Sequence, residues 1–382
     1  MNESLSCPDR LSAVIDLDAI VHNWQMMEEM APHTAAMPVL KADSYGHGIV
    51  PVAKALFHAG CNAIFTASLE EAIQIKQDLP DLEIAFFDGP QDGDINAIKA
   101  YNLTTVLNSP TQLDVMMSAA KAHDHQFKVM LHLDTGMNRL GFSTKEAALL
   151  SGRDDLDCLD WQLILSHLAM ADEPDDPMNA EQKAAFDHFL ETRPAILAGV
   201  KASLSATAGI MLGSGYHYDV TRPGIGIYGM APAPDVAPDQ VAKLRPAIKL
   251  QGRVLQIREA NAGESVGYGK SCRLNRACRL ATIGGGYADG IMRQLSNQGD
   301  WMINGQTAPI VGRVSMDVHV VDITDCPHDS LKVGDMVSFI ETADDVHMIA
   351  KNSATIAHDV LTRLGLRAKR HYAGVIVKEL DL

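Results

Sequence analysis

From residue 12 to about residue 230, short β-branched or apolar runs alternate with stretches whose apolar residues recur at helical spacing. This alternation constrains the fold more than any other feature of the chain. The runs are SAVIDL (12–17), AMPVLKA (36–42), AIFTA (63–67), EIAFFD (83–88), TTVLN (104–108), FKVMLHLD (127–134), QLILSHL (162–168), KASLSA (201–206) and GIGIYG (224–229). Apolar strands separated by amphipathic helices make parallel βαβ units. Helix starts are marked by two S-x-x-E capping boxes, Ser68–Glu71 and Ser143–Glu146, and a first helix by the spacing of Ile20, Trp24 and Met27. About eight such units in ~200 residues is the count of a (β/α)8 barrel, not of an open doubly wound sheet.

Around residue 231 the texture changes. APAPDVAPDQ (231–240) reads as a connector. Beyond it come long alternating segments: 247–260, 279–287, 301–312, 318–324 and 335–341. Asn304-Gly305 signals a hairpin, and 348–365 has the pattern of one late helix. The expected organisation is α/β: a (β/α)8 TIM barrel over 12–238, then a mostly antiparallel β domain over 239–382. The first run, near 12–17, is a candidate to join the second domain.

Composition narrows the functional class. Against 32 Lys+Arg stand 48 Asp+Glu, a net charge of −16, which argues against binding nucleic-acid phosphates or an anionic membrane. No apolar run approaches the ~18 residues of a membrane span, and no signal peptide is visible. The six scattered cysteines, Cys7 among them, form no CxxC pair or metal cluster. These features fit reduced thiols and a soluble cytoplasmic protein without a metal site.

In such a barrel the strand C-termini build the active site. The first barrel strand ends at Lys41, where partial desolvation favours a neutral, nucleophilic amine, although a lysine snorkelling at a strand end has the same pattern. LDTGMNRLGF (133–142) brings Arg139 to the same rim, QLILSHL brings His167, and KASLSA brings Ser205. A lone histidine at a strand end such as His167 is more often structural than catalytic, and a rim that also gathers a lysine and an arginine narrows that gap. Gly224-x-Gly226-x-x-Gly229 fails as a dinucleotide fingerprint because no helix follows, but it can form a phosphate nest or simply let the barrel close. In SVGYGKS (265–271), Tyr268 stands between two glycines.

Taken in order, PVLKADSYGHG (38–48), HLDTGMNRLGF (132–142), SHLAMADE (166–173), SLSATAG (203–209), TRPGIGIYG (221–229), SVGYG (265–269), ATIGGGYADG (281–290) and VGRVSMDVHVVDIT (311–324) resemble the alanine racemase family over nearly the whole chain. The resemblance implies a pyridoxal 5′-phosphate enzyme that interconverts L- and D-alanine, supplies D-alanine for peptidoglycan, and works as a homodimer with shared active sites. It implies that Lys41 is the Schiff-base lysine and one acid/base group, and that Tyr268, reaching in from the partner subunit, is the other. It implies that Tyr45, Ser205, Gly224 and Ile225 bind the phosphate, that His167 packs on the pyridine ring, and that Arg222 faces the ring nitrogen. Arg139 falls near the substrate carboxylate, and Tyr287, Met316 and Asp317 at the substrate entrance.

The chain also departs from the pattern. His132 stands where many relatives have a lysine, carbamylated in some. Leu204 stands where asparagine is common, and Lys201 where a histidine often sits beside the ring-facing arginine. Leu366 falls where some members place a phosphate-binding tyrosine, and Tyr372 lies too far on. Rival readings are a racemase preferring serine or another small amino acid, a decarboxylase of basic amino acids with a similar barrel, and a non-catalytic pyridoxal-phosphate carrier.

Overall fold

The structure is a computed structural model and describes residues 9–153, 155–233, 236–303 and 305–380. Cys7, Asn304 of the hairpin signal and two connector residues, Pro234 and Asp235, lie outside the described residues. The chain forms two compact units. One holds Asp18–Arg245 and the turn beginning at Lys378; the other holds the residues up to Leu17 with Pro246–Val377.

The first unit is a closed eight-stranded barrel. After β1 (Leu11–Asp16), which belongs to the other unit, come β2 (Ala35–Ala36), β3 (Ala63–Thr66), β4 (Glu83–Phe86), β5 (Thr104–Leu107), β6 (Lys128–His132), β7 (Asp160–Leu165), β8 (Lys201–Ser203) and β9 (Val220–Thr221). β3 to β8 pair in sequence order, all parallel, and β2 pairs with β9, also parallel. Bridges at Val39–Phe65 and Ala206–Arg222 join the two sets and close the ring. Alternate side chains point inward, so Val39, Phe65, Ala85, Val106, Met130, Leu163, Leu165 and Val220 share one buried interior.

Ile20, Trp24 and Met27 are all buried on the helix Leu17–Met30. Both capping boxes form: Ser68 caps Leu69–Asp78 and Ser143 caps Thr144–Leu149.

Three sequence expectations need correction. GIGIYG (224–229) is not the closing strand; β9 is, and Ile225–Tyr228 is a 3₁₀ turn ending at left-handed Gly229. Past Arg222, Pro223 has no N–H to donate, although its carbonyl still accepts from Val39 N–H (2.9 Å). The run 36–42 is ladder-paired only through Leu40, and Lys41 starts a turn. The single late helix is two, Ala343–Asn352 and Ala357–Thr362, separated where Ala354 adopts φ +52°.

The second unit is β-rich. It contains β10 (Ile248–Ala260), β11 (Ser265–Val266), β12 (Cys272–Arg273), β13 (Cys278–Gly284), β14 (Asp300–Ile303), β15 (Gln306–Pro309), β16 (Val318–Asp322), β17 (Met336–Ile340) and β18 (Lys369–Ala373). The main sheet runs β16-β13-β10-β1-β18, with β17 also on β10. Its pairings are antiparallel except β1 with β18. β1 is thus a strand of this sheet. Gly305 (φ +79°) turns the β14–β15 hairpin, where Ile303 faces Gln306. Among the described residues no helix is long and apolar enough to cross a membrane.

Candidate active site

Leu40 closes its ladder on Phe65 (N–H to carbonyl, 2.8 Å) and is fully buried, which leaves half-buried Lys41 at the strand's C-terminal end. Burial lowers the Lys41 pKa and the Arg139 cation lowers it further, while Glu71 and Asp88 oppose them. The next four residues, Ala42, Asp43, Ser44 and Tyr45, all have φ between +51° and +55°, a left-handed helical turn without glycine. That conformation costs about 1–2 kcal/mol per L-residue, so the surroundings must hold it. Ser44 N–H donates to Leu40 O (2.9 Å), Gly46 N–H to Ala42 O (3.1 Å), and Ile49 N–H to Asp43 Oδ1 (2.8 Å). His47 Nδ1 reaches the carbonyls of Ser44 (3.0 Å) and Tyr45 (2.9 Å), so this nitrogen carries the proton.

The turn delivers Tyr45 against Gly224. A Cβ on Gly224 would lie 2.7 Å from the Tyr45 hydroxyl, so only glycine leaves the phenol its place. Burial raises the Tyr45 pKa, so it remains a neutral donor. The nest expected from the three glycines is narrower than the motif suggested: the N–H groups of Gly224 and Gly226 both donate to Thr207 Oγ1 (3.0 and 3.2 Å). Buried Ile225 lies between them, and among the described residues its N–H finds no acceptor. Ser205 is fully buried beside this cup, but its hydroxyl donates to Tyr216 O (2.7 Å), so it is turned away from an incoming anion.

Arg222 is 2% exposed. Its guanidinium donates to Ser203 Oγ, Ser166 O (2.5 Å) and Leu204 O (3.3 Å). Ser203, two residues along the same inward face of β8, is therefore its side-chain partner. Lys201 lies exposed at the start of that strand. No carboxylate of the described residues pairs with Arg222, and burial lowers its pKa to about 9, which still leaves it charged at neutral pH. His167 is held near neutral pH as an uncharged ring, its pKa pushed well below 6.5 by burial and then by the charges of Arg222, Arg139 and Lys41. His132 Nδ1 donates to Asn108 Oδ1 (2.7 Å), and burial followed by Arg222 and Arg139 lowers its pKa to about 4. Arg139 itself is exposed on the loop after β6.

The second unit gathers the remaining candidates. Tyr268, Tyr287, Met316 and Asp317 line one cleft with Arg293 and Arg313. Gly267 and Gly269, with φ near +70°, expose Tyr268, a residue 71% accessible. Hydrogen bonds from Tyr287 N–H to Ser315 O (3.0 Å) and from Ala288 N–H to Met316 O (3.1 Å) lock the two loops together. Asp289, fully buried, accepts at both carboxylate oxygens from one Arg10 nitrogen, Nη2 (3.0 and 2.9 Å), and Arg367 bridges it to Asp317. Leu366 is 93% exposed, well away from any role as a buried phosphate donor.

Behind this cleft lies a pH-sensitive contact. Trp301 Nε1 donates to His319 Nε2 (3.0 Å), so the imidazole is neutral and its Nδ1–H donates to Gly285 O (2.8 Å). Burial lowers the His319 pKa to about 4. The unfolded chain takes up this proton near pH 6.5 and the folded chain only near pH 4, so stability is complete above 6.5 and falls with acidification across that window. At pH 5 the loss from His319 is about 2 kcal/mol. Denaturant unfolding at pH 7 and pH 5 checks this; equal midpoints contradict it.

Comparison with known proteins decides the family. The model of the alanine racemase N-terminal domain matches residues 15–232, and that of the alanine racemase C-terminal domain matches 247–372. This chain belongs to the alanine racemase family. It is 38% identical over 372 residues to an alanine racemase of Rhodospirillum rubrum, covering 96% of this chain and 97% of that protein. It is 38% identical to a biosynthetic alanine racemase of Agrobacterium fabrum, covering 95% and 93%. Among solved structures, the alanine racemase of Bartonella henselae with covalently bound pyridoxal phosphate superposes with a TM-score of 0.88 at 35% identity, covering 96% of this chain and all of that one. The biosynthetic enzyme of Pseudomonas aeruginosa gives 0.87 at 31%, with the same coverage.

Within this family frame, sequence reasoning had placed Lys41, Tyr45, Arg139, His167, Ser205, Arg222, Gly224 and Ile225 in the barrel, and all eight lie on its C-terminal side or the loops beyond. It missed Ser203, Asn108, Thr207 and the left-handed turn. Small polar residues at inward strand positions were the available signal for the first three.

Proposed function

We propose that this alanine racemase family member interconverts L- and D-alanine using pyridoxal phosphate held by Lys41, in the cytoplasm, with D-alanine for peptidoglycan as its product in the cell. The observation that carries the reading is a partly desolvated lysine at a barrel rim that also holds a buried, carboxylate-free arginine and an anion cup with an unsatisfied backbone donor. Those residues suit a phosphate-bearing, electron-poor ring. Such a cofactor, when bound, spreads the negative charge left on the α-carbon after proton loss.

Ile225 N–H and the Tyr45 hydroxyl supply donors for the phosphate. His167, uncharged, offers a flat apolar face. Arg222 remains a cation at neutral pH; with the cofactor bound it would donate a hydrogen bond to the ring nitrogen and keep its own proton, which would favour return of the proton to the α-carbon. Exchanging Arg222 for Glu is therefore expected to increase pyruvate formed from alanine per racemisation event; an unchanged ratio contradicts this role.

Inversion needs a proton acceptor on each face of a planar carbon. Lys41, with its lowered pKa, serves one face, and Tyr268 serves the other. The exposure of Tyr268 in the β-rich unit supports a composite site in which the tyrosine of one subunit serves the lysine of its partner, making the homodimer the active species. Borohydride reduction of the holoprotein followed by peptide mapping tests the reading: the label is expected on Lys41, and a label elsewhere or none contradicts it.

A further inference from the structure

The two oxygens of the Glu71 carboxylate do different work. Oε2 belongs to the capping box: it accepts from Ser68 N–H (3.4 Å) and Ala67 N–H (2.9 Å) while Ser68 Oγ accepts from Glu71 N–H (3.4 Å). Oε1 leaves the box altogether and accepts from Ala42 N–H at 2.7 Å. Ala42 is the residue after Lys41 and the first of the four left-handed residues. The other boxes in this chain show that the cap alone does not need this reach. Among the described residues the Glu146 carboxylate bonds Ser143 alone, through Oε2. In the Thr342 box the shorter Asp345 suffices, with Oδ2 accepting from Thr342 N–H (2.8 Å).

We infer that Glu71 is a positioning residue for Lys41: its spare oxygen pins the peptide between the lysine and the left-handed turn, and so sets where the lysine amine stands relative to the phosphate cup at Tyr45. The turn is strained at every residue; it is tied internally and to its own flanks at Leu40, His47 and Ile49, and Tyr228 hydrogen-bonds the Ser44 side chain from the far end of the barrel chain. Glu71 reaches it from the next βα unit. An ionised acceptor on a backbone donor is among the stronger protein hydrogen bonds. The inference rests on Lys41 being the lysine that holds pyridoxal phosphate.

Because the cap and the pin use different atoms, they separate by mutation. Glu71→Asp keeps a capping box of the Thr342–Asp345 kind and is one methylene short of Ala42. Ser68→Ala weakens the cap and leaves the pin. In each purified holoprotein, pyridoxal phosphate affinity is measured from the bound-cofactor absorbance on dilution, and the melting temperature is measured alongside. Glu71→Asp is expected to weaken cofactor binding about 10- to 100-fold with little change in melting temperature. Ser68→Ala is expected to lower the melting temperature by several degrees with affinity within about twofold. Glu71→Gln keeps the length but has one acceptor oxygen for two tasks, and is expected to lose affinity as well.

Parent-like affinity in both Glu71 variants, with Lys41 carrying the label in the parent, overturns this inference alone. Affinity losses that simply follow melting temperature across the three variants also overturn it. A parent chain that carries no cofactor on Lys41 removes the functional reading and this inference with it.

Discussion

Lys41→Ala is expected to abolish covalent cofactor binding and to lower alanine racemisation by at least ~10⁴-fold, the combined loss of a covalent anchor and a proton acceptor. The fold should survive. Lys41 is half-buried, and the burial that lowers its pKa opposes the charged form, so removing the ammonium relieves desolvation rather than opening a packed core. The check is therefore paired: racemase rate and bound-cofactor absorbance on one side, thermal unfolding on the other. A variant that melts like the parent and racemises at a tenth of its rate contradicts the role given to Lys41. Loss of activity together with loss of fold leads to Lys41→Arg, which keeps the cation and cannot form the same covalent bond.

Tyr268→Phe is the second large effect. It removes one oxygen from a residue that is 71% exposed, on a turn whose geometry is set by Gly267 and Gly269. Packing is untouched, so the loss should appear wholly in the chemistry. Racemisation is expected to fall ~10²–10⁴-fold, the usual contribution of one positioned acid/base group. Exchange of the α-proton with solvent should persist for one enantiomer, the one whose proton faces Lys41, with retained configuration. Equal exchange of both enantiomers in this variant contradicts the two-face assignment. A non-catalytic carrier would lose nothing, and the same measurement excludes it. Mixing inactive Lys41→Ala and Tyr268→Phe proteins probes the shared site: if each active site draws its tyrosine from the partner, mixed dimers recover one intact site.

The barrel was legible because a parallel strand buried on both faces writes a continuous apolar run, and because strand C-termini are where such folds carry their chemistry. Lys41, Arg139 and His167 could be read from those rules. The two capping boxes were legible for the same reason: their signal is local. What was not legible is imposed from outside the segment concerned. Ala42-Asp43-Ser44-Tyr45 contains no glycine, so four left-handed residues in a row have no sequence signature; they exist because Glu71, His47 and the flanking peptides hold them. The closing strand is only Val220–Thr221, too short to register beside the glycine-rich GIGIYG that follows it. Ser203 is one small residue on an inward strand face, and nothing local says that a buried arginine will reach it. Such tertiary requirements override the local pattern.

The most direct test of the central claim is proton NMR of L-alanine in D2O with the purified holoprotein, followed by chiral analysis of the product. The account predicts loss of the α-proton signal together with accumulation of D-alanine. Exchange with fully retained configuration, or no exchange at all, contradicts it.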